Sequence, residues 1–179
     1  MARPDARVLI LGSMPGEESL RQKQYYAHPK NAFWDIMGRL FGAGRDLPYR
    51  QRLRKLAAVK VALWDVAGEC VRPGSLDSDI ERRSVVPNGF QTLFKRCPHI
   101  RAVFFNGQKS AELFNKRVRP TLAAADCLAF FILPSTSPAM ASLSLNEKIK
   151  KWEIVLENVD RTERDAARGY NQKENRGLR

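Results

Sequence analysis

The chain has 179 residues, with 31 lysines and arginines against 19 aspartates and glutamates, and so a formal net charge of +12. This length suits one domain with a substantial core and is too short for two domains of ordinary size. No apolar run approaches the roughly 20 residues that span a bilayer. The excess of positive charge favours a phosphate-rich partner, nucleic acid first, although an ordinary basic protein is the alternative that charge leaves open.

Apolar runs predict four buried strands: Ala6–Ser13, Val59–Val66, Ile100–Gly107 and Cys127–Ser135. They are rich in Val, Ile, Leu and Phe and nearly continuous, which is typical of parallel strands covered on both faces. Helical patterns alternate with them at Asn31–Gly44, Tyr49–Val59, Asn88–Cys97, Gly107–Val118 and Leu143–Val159. The alternation predicts a three-layer αβα fold of the α/β class, with a central, mostly parallel four-stranded sheet.

The pattern fails near the C-terminus. The stretch DRTERDAARGYNQKENRGLR is polar and charged and has no apolar stripe. We therefore expect one domain over residues 1–158, followed by a basic, flexible tail over 159–179 that is either disordered or loosely helical.

The three cysteines, Cys70, Cys97 and Cys127, lie far apart and form no C-x-x-C pair. This spacing argues against a disulfide framework, an iron–sulfur cluster and a structural zinc site, and we expect no metal and no cofactor. The N-terminal apolar stretch is too short for a signal peptide. We expect a cytoplasmic protein, associated with the nucleoid if the source is a prokaryote.

Four segments follow the predicted strands: GSMPG, LWDVAGECVRPG, NGQKS and LPSTSPAM. In open α/β sheets ligands bind beyond the carboxyl ends of the strands, so these segments should converge at one edge. Each signal is weak alone, since GSMPG has an alternative as simple turn chemistry. The hydroxyls and N–H groups of STSP could clamp a phosphate, or could cap a helix.

The stretch QYYAHPKNAFW lies between the first strand and the first predicted helix. Phe33 and Trp34 continue the apolar stripe of that helix and belong to the core. Tyr25 and Tyr26 precede a proline in the loop, and an aromatic face beside a phosphate-binding edge suits a stacked base. Asn31 stands where a helix N-cap belongs, and local pattern alone favours that role.

Five motifs occur in a fixed order: G-S-M-P-G, Y-A-H-P-x-N-x-F-W, L-W-D-V, N-G-x-x-x-A and L-P-S-T-S-P-A. This order resembles the uracil-DNA glycosylase superfamily, whose mismatch-specific enzymes carry G-I-N-P-G, F-A-H-P-x-N-R-F-W and N-P-S. Within it, the chain is most similar to the hypoxanthine-DNA glycosylase (DNA-deoxyinosine glycosylase) family, which has G-S-M-P-G. The resemblance runs from about Val8 to Val155 and excludes the tail.

Three positions depart from the uracil-specific relatives. Met14 stands where mismatch-specific enzymes have a water-positioning Asn, and a thioether can neither hold nor activate water. Ser135 replaces the common His or Asn of the last motif, and Trp64 stands where L-N-A-V has a base-reading Asn. These departures argue against efficient uracil excision, and the resemblance implies that the catalytic role has moved to Asn31.

The resemblance implies DNA that carries a deaminated base, hypoxanthine first, which is flipped out of the duplex. Asn31 would orient a water toward the anomeric carbon, and Asp65 is the rival for activating that water. The expected base-binding residues are Gly12, Ser13, Met14, Tyr26, Trp64 and Asn106. The expected DNA-binding residues are Ser135, Thr136, Ser137, Pro138, Ala139, Met140 and Lys109, with Pro138–Met140 as a wedge.

No lysine is placed like that of a bifunctional lyase, because Lys30 and Lys109 suit phosphate contacts or solvated positions. We therefore expect a monomeric, monofunctional glycosylase that acts on DNA, touches no membrane and leaves an abasic site. A broader glycosylase for uracil or xanthine is one alternative. A DNA-binding module that has lost catalysis is another, and Met14 keeps it open.

Overall fold

The computed structural model describes residues 1–74, 76–122 and 128–174. Its strands are β1 (Val8–Gly12), β2 (Val61–Asp65), β3 (Ala67–Glu69), β4 (Val86–Pro87), β5 (Ala102–Asn106) and β6 (Ala129–Leu133). Its helices are α1 (Glu17–Gln22), α2 (Phe33–Phe41), α3 (Tyr49–Ala58), α4 (Phe90–Arg96), α5 (Gln108–Arg117) and α6 (Leu145–Glu174). In this part of the chain no helix has both the length and the apolar character needed to cross a membrane.

The main sheet has the order β2-β1-β5-β6, and all three strand pairs are parallel. Its side chains alternate between two cores. Leu9 and Leu11 of β1 pack toward α4 and α5, whereas Val8 and Ile10 pack toward α2, α3 and α6. This arrangement confirms the predicted three-layer α/β fold, and the two covered faces explain why the strands are nearly continuous apolar runs.

Helix boundaries follow local signals. Gly42 ends α2 in the left-handed conformation (φ 61°), and its N–H donates to the carbonyl of Gly38. Ser144 and Glu147 form a capping box before α6: the Ser144 N–H donates to Glu147 Oε2 at 2.8 Å, and the Glu147 N–H donates to Ser144 Oγ at 3.3 Å.

Three features differ from the sequence prediction. Helix α1 and the small antiparallel pair of β3 and β4 were not predicted, and the predicted strand start at Cys127 lies outside the described residues. The last helix crosses the expected boundary after residue 158 and continues to Glu174. Val159 and Thr162 are buried, and the Arg7 guanidinium donates to the Thr162 carbonyl at 2.7 Å. The first residues of the expected tail, up to Thr162, are therefore helical and packed against the domain.

Strand order fixes where a ligand can bind. The chain leaves β1 to form β2 on one side and later returns to form β5 on the other side. The connections on the two sides run in opposite directions, which opens a crevice at the carboxyl ends of β1 and β5.

Candidate functional site

A cavity of about 820 Å³ lies at this crevice. The walls come from the GSMPG turn, the aromatic loop at 25–31, the start of α5 and the loop at 135–140. The rest of the lining comes from Asp65 at the end of β2, from residues 76–78, from the turn before α5, and from helix α1 through Glu17, Glu18, Ser19 and Arg21. The predicted convergence of the motif segments at one sheet edge is therefore confirmed.

The floor of the cavity is a row of strand-terminal residues. Gly12 pairs with Asp65 across β1 and β2, and the register of β1 with β5 places Asn106 on its other side. A Cβ added at Gly12 would lie 2.4 Å from Asp65 Oδ1 and 3.1 Å from the Tyr26 hydroxyl. Glycine is required here because the carboxyl and the phenol occupy the volume that any side chain would fill.

Asp65 is a buried carboxyl, with 6% of its surface exposed. Its main-chain oxygen accepts a hydrogen bond from Asn88, but its carboxyl oxygens accept none from any described residue. The pKa of Asp65 is raised to about 7, mainly by burial; the Met1 amine and Arg72 act to lower it, and the Asp77 carboxylate acts to raise it. Asp65 therefore holds a proton up to near-neutral pH.

Tyr26 forms the aromatic wall. Its ring stacks on Phe33 with centroids 4.0 Å apart and planes inclined by 24°. Its hydroxyl is buried beside Asn106 without a well-formed hydrogen bond to any described residue, and burial raises the pKa of this phenol. Tyr26 also has a φ of 53°, which is uncommon for a bulky residue and is found preferentially at functional sites.

Asn31 lines the cavity beside this wall. Its Oδ1 accepts the N–H of Phe33 at 3.0 Å, and its own N–H donates to the His28 carbonyl at 2.9 Å. The N-cap of α2 is Ala32 rather than Asn31, so the capping interpretation is off by one residue, although the Asn31 side chain still binds the start of the helix. Its Nδ2 has no partner among the described residues, which leaves two N–H groups available to a ligand or a water.

Asn106 holds the last motif in place. Its Nδ2 donates to Thr136 Oγ1 and its Oδ1 accepts the Thr136 N–H, both at 2.8 Å, and both residues are buried. Behind them, Gly107 has a φ of 98°, and a Cβ there would lie 2.9 Å from Ser135 Cβ. The amide of Asn106, expected to bind the base, is mainly occupied in positioning the loop.

Two further hydrogen bonds hold the loop at 135–140 in place. The Ala32 N–H donates to the Thr136 carbonyl at 2.9 Å, which joins this loop to the aromatic loop. From α6, the buried Lys148 ammonium donates to the Met140 carbonyl at 2.7 Å. Pro138, Ala139 and Met140 are exposed at the cavity mouth, as a wedge would be.

The segment between β2 and α4 supplies another wall; its first part, LWDVAGECVRPG, was predicted to converge here, whereas Asp77 was not. Ser13 Oγ donates to Asp77 Oδ1 at 2.5 Å, and Arg72 donates to the Pro15 carbonyl at 2.6 Å. The thiol of Cys70 contacts the thioether of Met14. The length and polarity of this connection were the only sequence signals for these contacts.

The structure corrects the expectation for Trp64. It was expected to bind the base, but it does not line the cavity and instead packs on Phe90 with ring centroids 5.0 Å apart. Successive strand residues point to opposite faces, so the cavity receives Asp65 instead. Lys109 lines the cavity as expected. Within residues 1–74, 76–122 and 128–174, His, Cys, Asp and Glu side chains form no group of three that could hold a metal ion.

Comparisons with known proteins agree with this geometry. A model of the uracil DNA glycosylase superfamily matches residues 1–157. A hypoxanthine DNA glycosylase of Methanosarcina acetivorans is 35% identical over 153 residues, which cover 85% of this chain and 91% of that protein. A hypoxanthine DNA glycosylase of Methanosarcina barkeri is 39% identical over 109 residues, 60% of this chain and 68% of that protein. The solution NMR structure of a candidate uracil DNA glycosylase from Methanosarcina acetivorans superposes with a TM-score of 0.71 at 33% identity, covering 89% of this chain and 94% of that chain.

Proposed function

Since the chain belongs to the uracil DNA glycosylase superfamily and is a DNA N-glycosylase, we propose that it excises deaminated bases from DNA, hypoxanthine first. The enzyme is monofunctional and monomeric, and it leaves an abasic site in an uncut strand. The observation that carries the proposal is the cavity at the strand ends, which sets a tyrosine ring, a free amide and a protonated carboxyl around one space. The names of the two Methanosarcina relatives support hypoxanthine as the base.

The cavity suits a flipped nucleotide. A space of about 820 Å³ falls within the range of small-molecule sites. The target base must leave the duplex to be cleaved, and a deaminated base pairs poorly, which lowers the cost of flipping. Stacking on Tyr26 returns about 1–3 kcal/mol and accepts different bases.

The loop at 135–140 supplies the grip on DNA. Ser135 and Ser137 contact the phosphates beside the flipped nucleotide, while Pro138–Met140 enter the space that the base leaves. The net charge of +12 draws the protein to DNA before any specific contact forms.

Asn31 orients the attacking water. An amide is a weak base, so the glycosidic bond must be largely broken before water adds to an oxocarbenium-like sugar. The hydrogen bond from the Phe33 N–H fixes the amide plane, and the free Nδ2 can hold a water oxygen.

The test is base release from matched oligonucleotides that carry hypoxanthine, uracil or xanthine, with wild type, Asn31→Ala and Asn115→Ala. Asn115 is exposed on α5 and serves as the control. We expect hypoxanthine to be released fastest, and release to be lost only in Asn31→Ala. Equal release of all three bases would indicate the broader enzyme, and binding without release would indicate a DNA-binding module. Strand scission without alkali would refute a monofunctional enzyme.

A further inference from the structure

The carboxyl of Asp65 has no assigned partner, although it is buried at the floor of the base cavity. Only 6% of its surface is exposed, and no described residue donates to its oxygens. Asp65 lines the cavity, and a carboxyl there that accepts no hydrogen bond from a described residue is available to a polar atom of the bound base. Gly12 keeps the approach to this carboxyl free of any side chain.

We propose that Asp65 is the catalytic acid that protonates the departing purine on N7 or N3, which makes the site selective for purines over uracil. The inference rests on the function proposed above and assigns a chemical step to it. Uracil has no basic ring nitrogen, so an acid at this position offers no comparable help to its departure. The selectivity therefore comes from the chemistry of the leaving group as well as from the shape of the cavity.

The step balances as follows. As the bond between C1′ and N9 breaks, its electron pair passes to the purine ring. The Asp65 carboxyl gives its proton to N7 or N3 and becomes a carboxylate, and hypoxanthine leaves as a neutral base. A water adds to C1′ through its oxygen, and the proton that it loses returns to Asp65 directly or through solvent. The net reaction consumes one water.

Burial, rather than the surrounding charges, keeps Asp65 protonated up to near-neutral pH. The Tyr25 and Tyr26 hydroxyls of the aromatic loop stay neutral, because burial raises the pKa of both. Asp77, from the segment between β2 and α4, opposes ionisation of Asp65, while Arg72 and the Met1 amine favour it. Burial has the largest effect on the pKa, so the carboxyl can donate a proton to a departing base at near-neutral pH.

The same protonation argues against Asp65 as the activator of water. A general base must be ionised, and this carboxyl ionises only near and above neutral pH. The two roles predict opposite pH profiles: an acid loses rate as pH rises through its pKa, whereas a base gains rate. Asn31 and Asp65 can therefore act on opposite sides of one bond.

The experiment measures single-turnover base release, with enzyme in excess, from about pH 5 to about pH 8. The substrates are oligonucleotides with hypoxanthine, 7-deazahypoxanthine or 3-deazahypoxanthine, and the enzymes are wild type, Asp65→Asn and Asp79→Asn. Asp79 is an exposed carboxylate of the same connecting segment and does not line the cavity.

For wild type and Asp79→Asn we expect a rate that falls above about pH 7 on hypoxanthine. For Asp65→Asn we expect a pH-independent rate about 100-fold lower at acid pH. With wild type, one of the two deaza analogues should be released more slowly than hypoxanthine by a similar factor. With Asp65→Asn, that analogue and hypoxanthine should be released at the same rate. The analogue that behaves in this way identifies the ring nitrogen that receives the proton.

Three results would overturn the inference. In the first, Asp65→Asn keeps the wild-type rate and profile on hypoxanthine. In the second, Asp65→Asn slows both deaza substrates as much as it slows hypoxanthine. In the third, wild-type rate rises with pH. The profile and the analogues test wild type alone, so the inference stays falsifiable if Asp65→Asn fails to fold. Failure of wild type to release hypoxanthine would instead overturn the proposed function, and this inference with it.

Discussion

Asn106 and Thr136 exchange two hydrogen bonds, each 2.8 Å long, between the end of β5 and the loop at the cavity mouth. Both side chains are buried, so water cannot replace these bonds when one partner is removed. The bonds set the position of the loop at 135–140, which we propose to bind DNA, from a rigid strand. This connection makes Asn106 a test of how far binding depends on loop geometry.

Asn106→Ala should lower the free energy of unfolding by about 2–4 kcal/mol, because it leaves the N–H and hydroxyl of Thr136 unpaired. DNA affinity should fall with it, since the loop loses its anchor. Urea unfolding and fluorescence anisotropy with duplex DNA measure the two effects. Asn115→Ala on the exposed side of α5 should change neither. If Asn106→Ala keeps wild-type stability, the two hydrogen bonds between Asn106 and Thr136 do not stabilise the fold.

Gly12→Ala should reduce base release at least tenfold, because the new Cβ would meet the Asp65 carboxyl at 2.4 Å. Displacing that carboxyl or the Tyr26 hydroxyl should also cost about 1–3 kcal/mol of stability. Gly89→Ala is the control, since its Cβ would meet only Thr92 Oγ1, at 4.0 Å. Single-turnover rates and thermal unfolding of both variants check the prediction. Equal rates for the two would show that the floor tolerates a side chain.

Tyr26→Phe should keep activity and should hold or raise stability, because it removes a buried hydroxyl that has no well-formed hydrogen bond in the described part of the chain. Tyr26→Ala should lose the base-stacking face, worth about 1–3 kcal/mol. Fluorescence of 2-aminopurine beside the lesion follows flipping in each variant. Inactivity of Tyr26→Phe would assign the hydroxyl a direct role.

Asp65 should also make stability depend on pH. Its pKa is raised from an ordinary 3.8 in the unfolded chain to about 7 in the fold, so the folded state keeps its proton to higher pH. The free energy of unfolding is therefore highest below about pH 4, and it falls by as much as about 4 kcal/mol as pH rises toward about 7. Relative to wild type, Asp65→Asn should therefore gain stability across this interval. Urea unfolding at several pH values measures the difference, and a constant difference would mean an ordinary pKa.

Lys148→Met should weaken DNA binding about tenfold without lowering the unfolding temperature. The ammonium is buried and its pKa is lowered by burial, so removing it relieves a desolvation cost while the hold on the Met140 carbonyl is lost. Lys150→Met, on the exposed face of α6, is the matched control. A large loss of stability in Lys148→Met alone would show that this hydrogen bond supports the fold rather than the loop.

The main sheet could be predicted because strands covered on both faces must be apolar throughout. For the same reason the sequence could not tell which residue at the end of β2 enters the cavity. In the run Val-Ala-Leu-Trp-Asp no residue before the last is charged, so the sequence does not show which face of the strand points into the cavity. Either Trp64 or Asp65 could therefore reach the base. The pairing of Asp65 with Gly12 in the folded sheet, which the sequence does not show, places Asp65 at the cavity.

Other parts of the site depend on contacts between distant segments. Asp77 belongs to an irregular connection with no periodic pattern, and its place follows from one hydrogen bond to Ser13. The extension of α6 past residue 158 follows from buried Val159 and from the bond between Arg7 and Thr162. Asn31 was predicted as both N-cap and site residue, but the N-cap is Ala32, and the Asn31 Oδ1 accepts the Phe33 N–H from one residue before the cap.

Two of the three tryptophans attach to the loops that form the cavity. The Trp34 indole donates to the Tyr25 carbonyl at 2.8 Å, and the Trp152 indole donates to the Pro134 carbonyl at 3.0 Å. Both rings are fully buried, so their emission depends on the loops they hold rather than on solvent. The protein therefore carries its own optical reporters: stopped-flow tryptophan fluorescence can time the movement of each loop as DNA binds, with no added label.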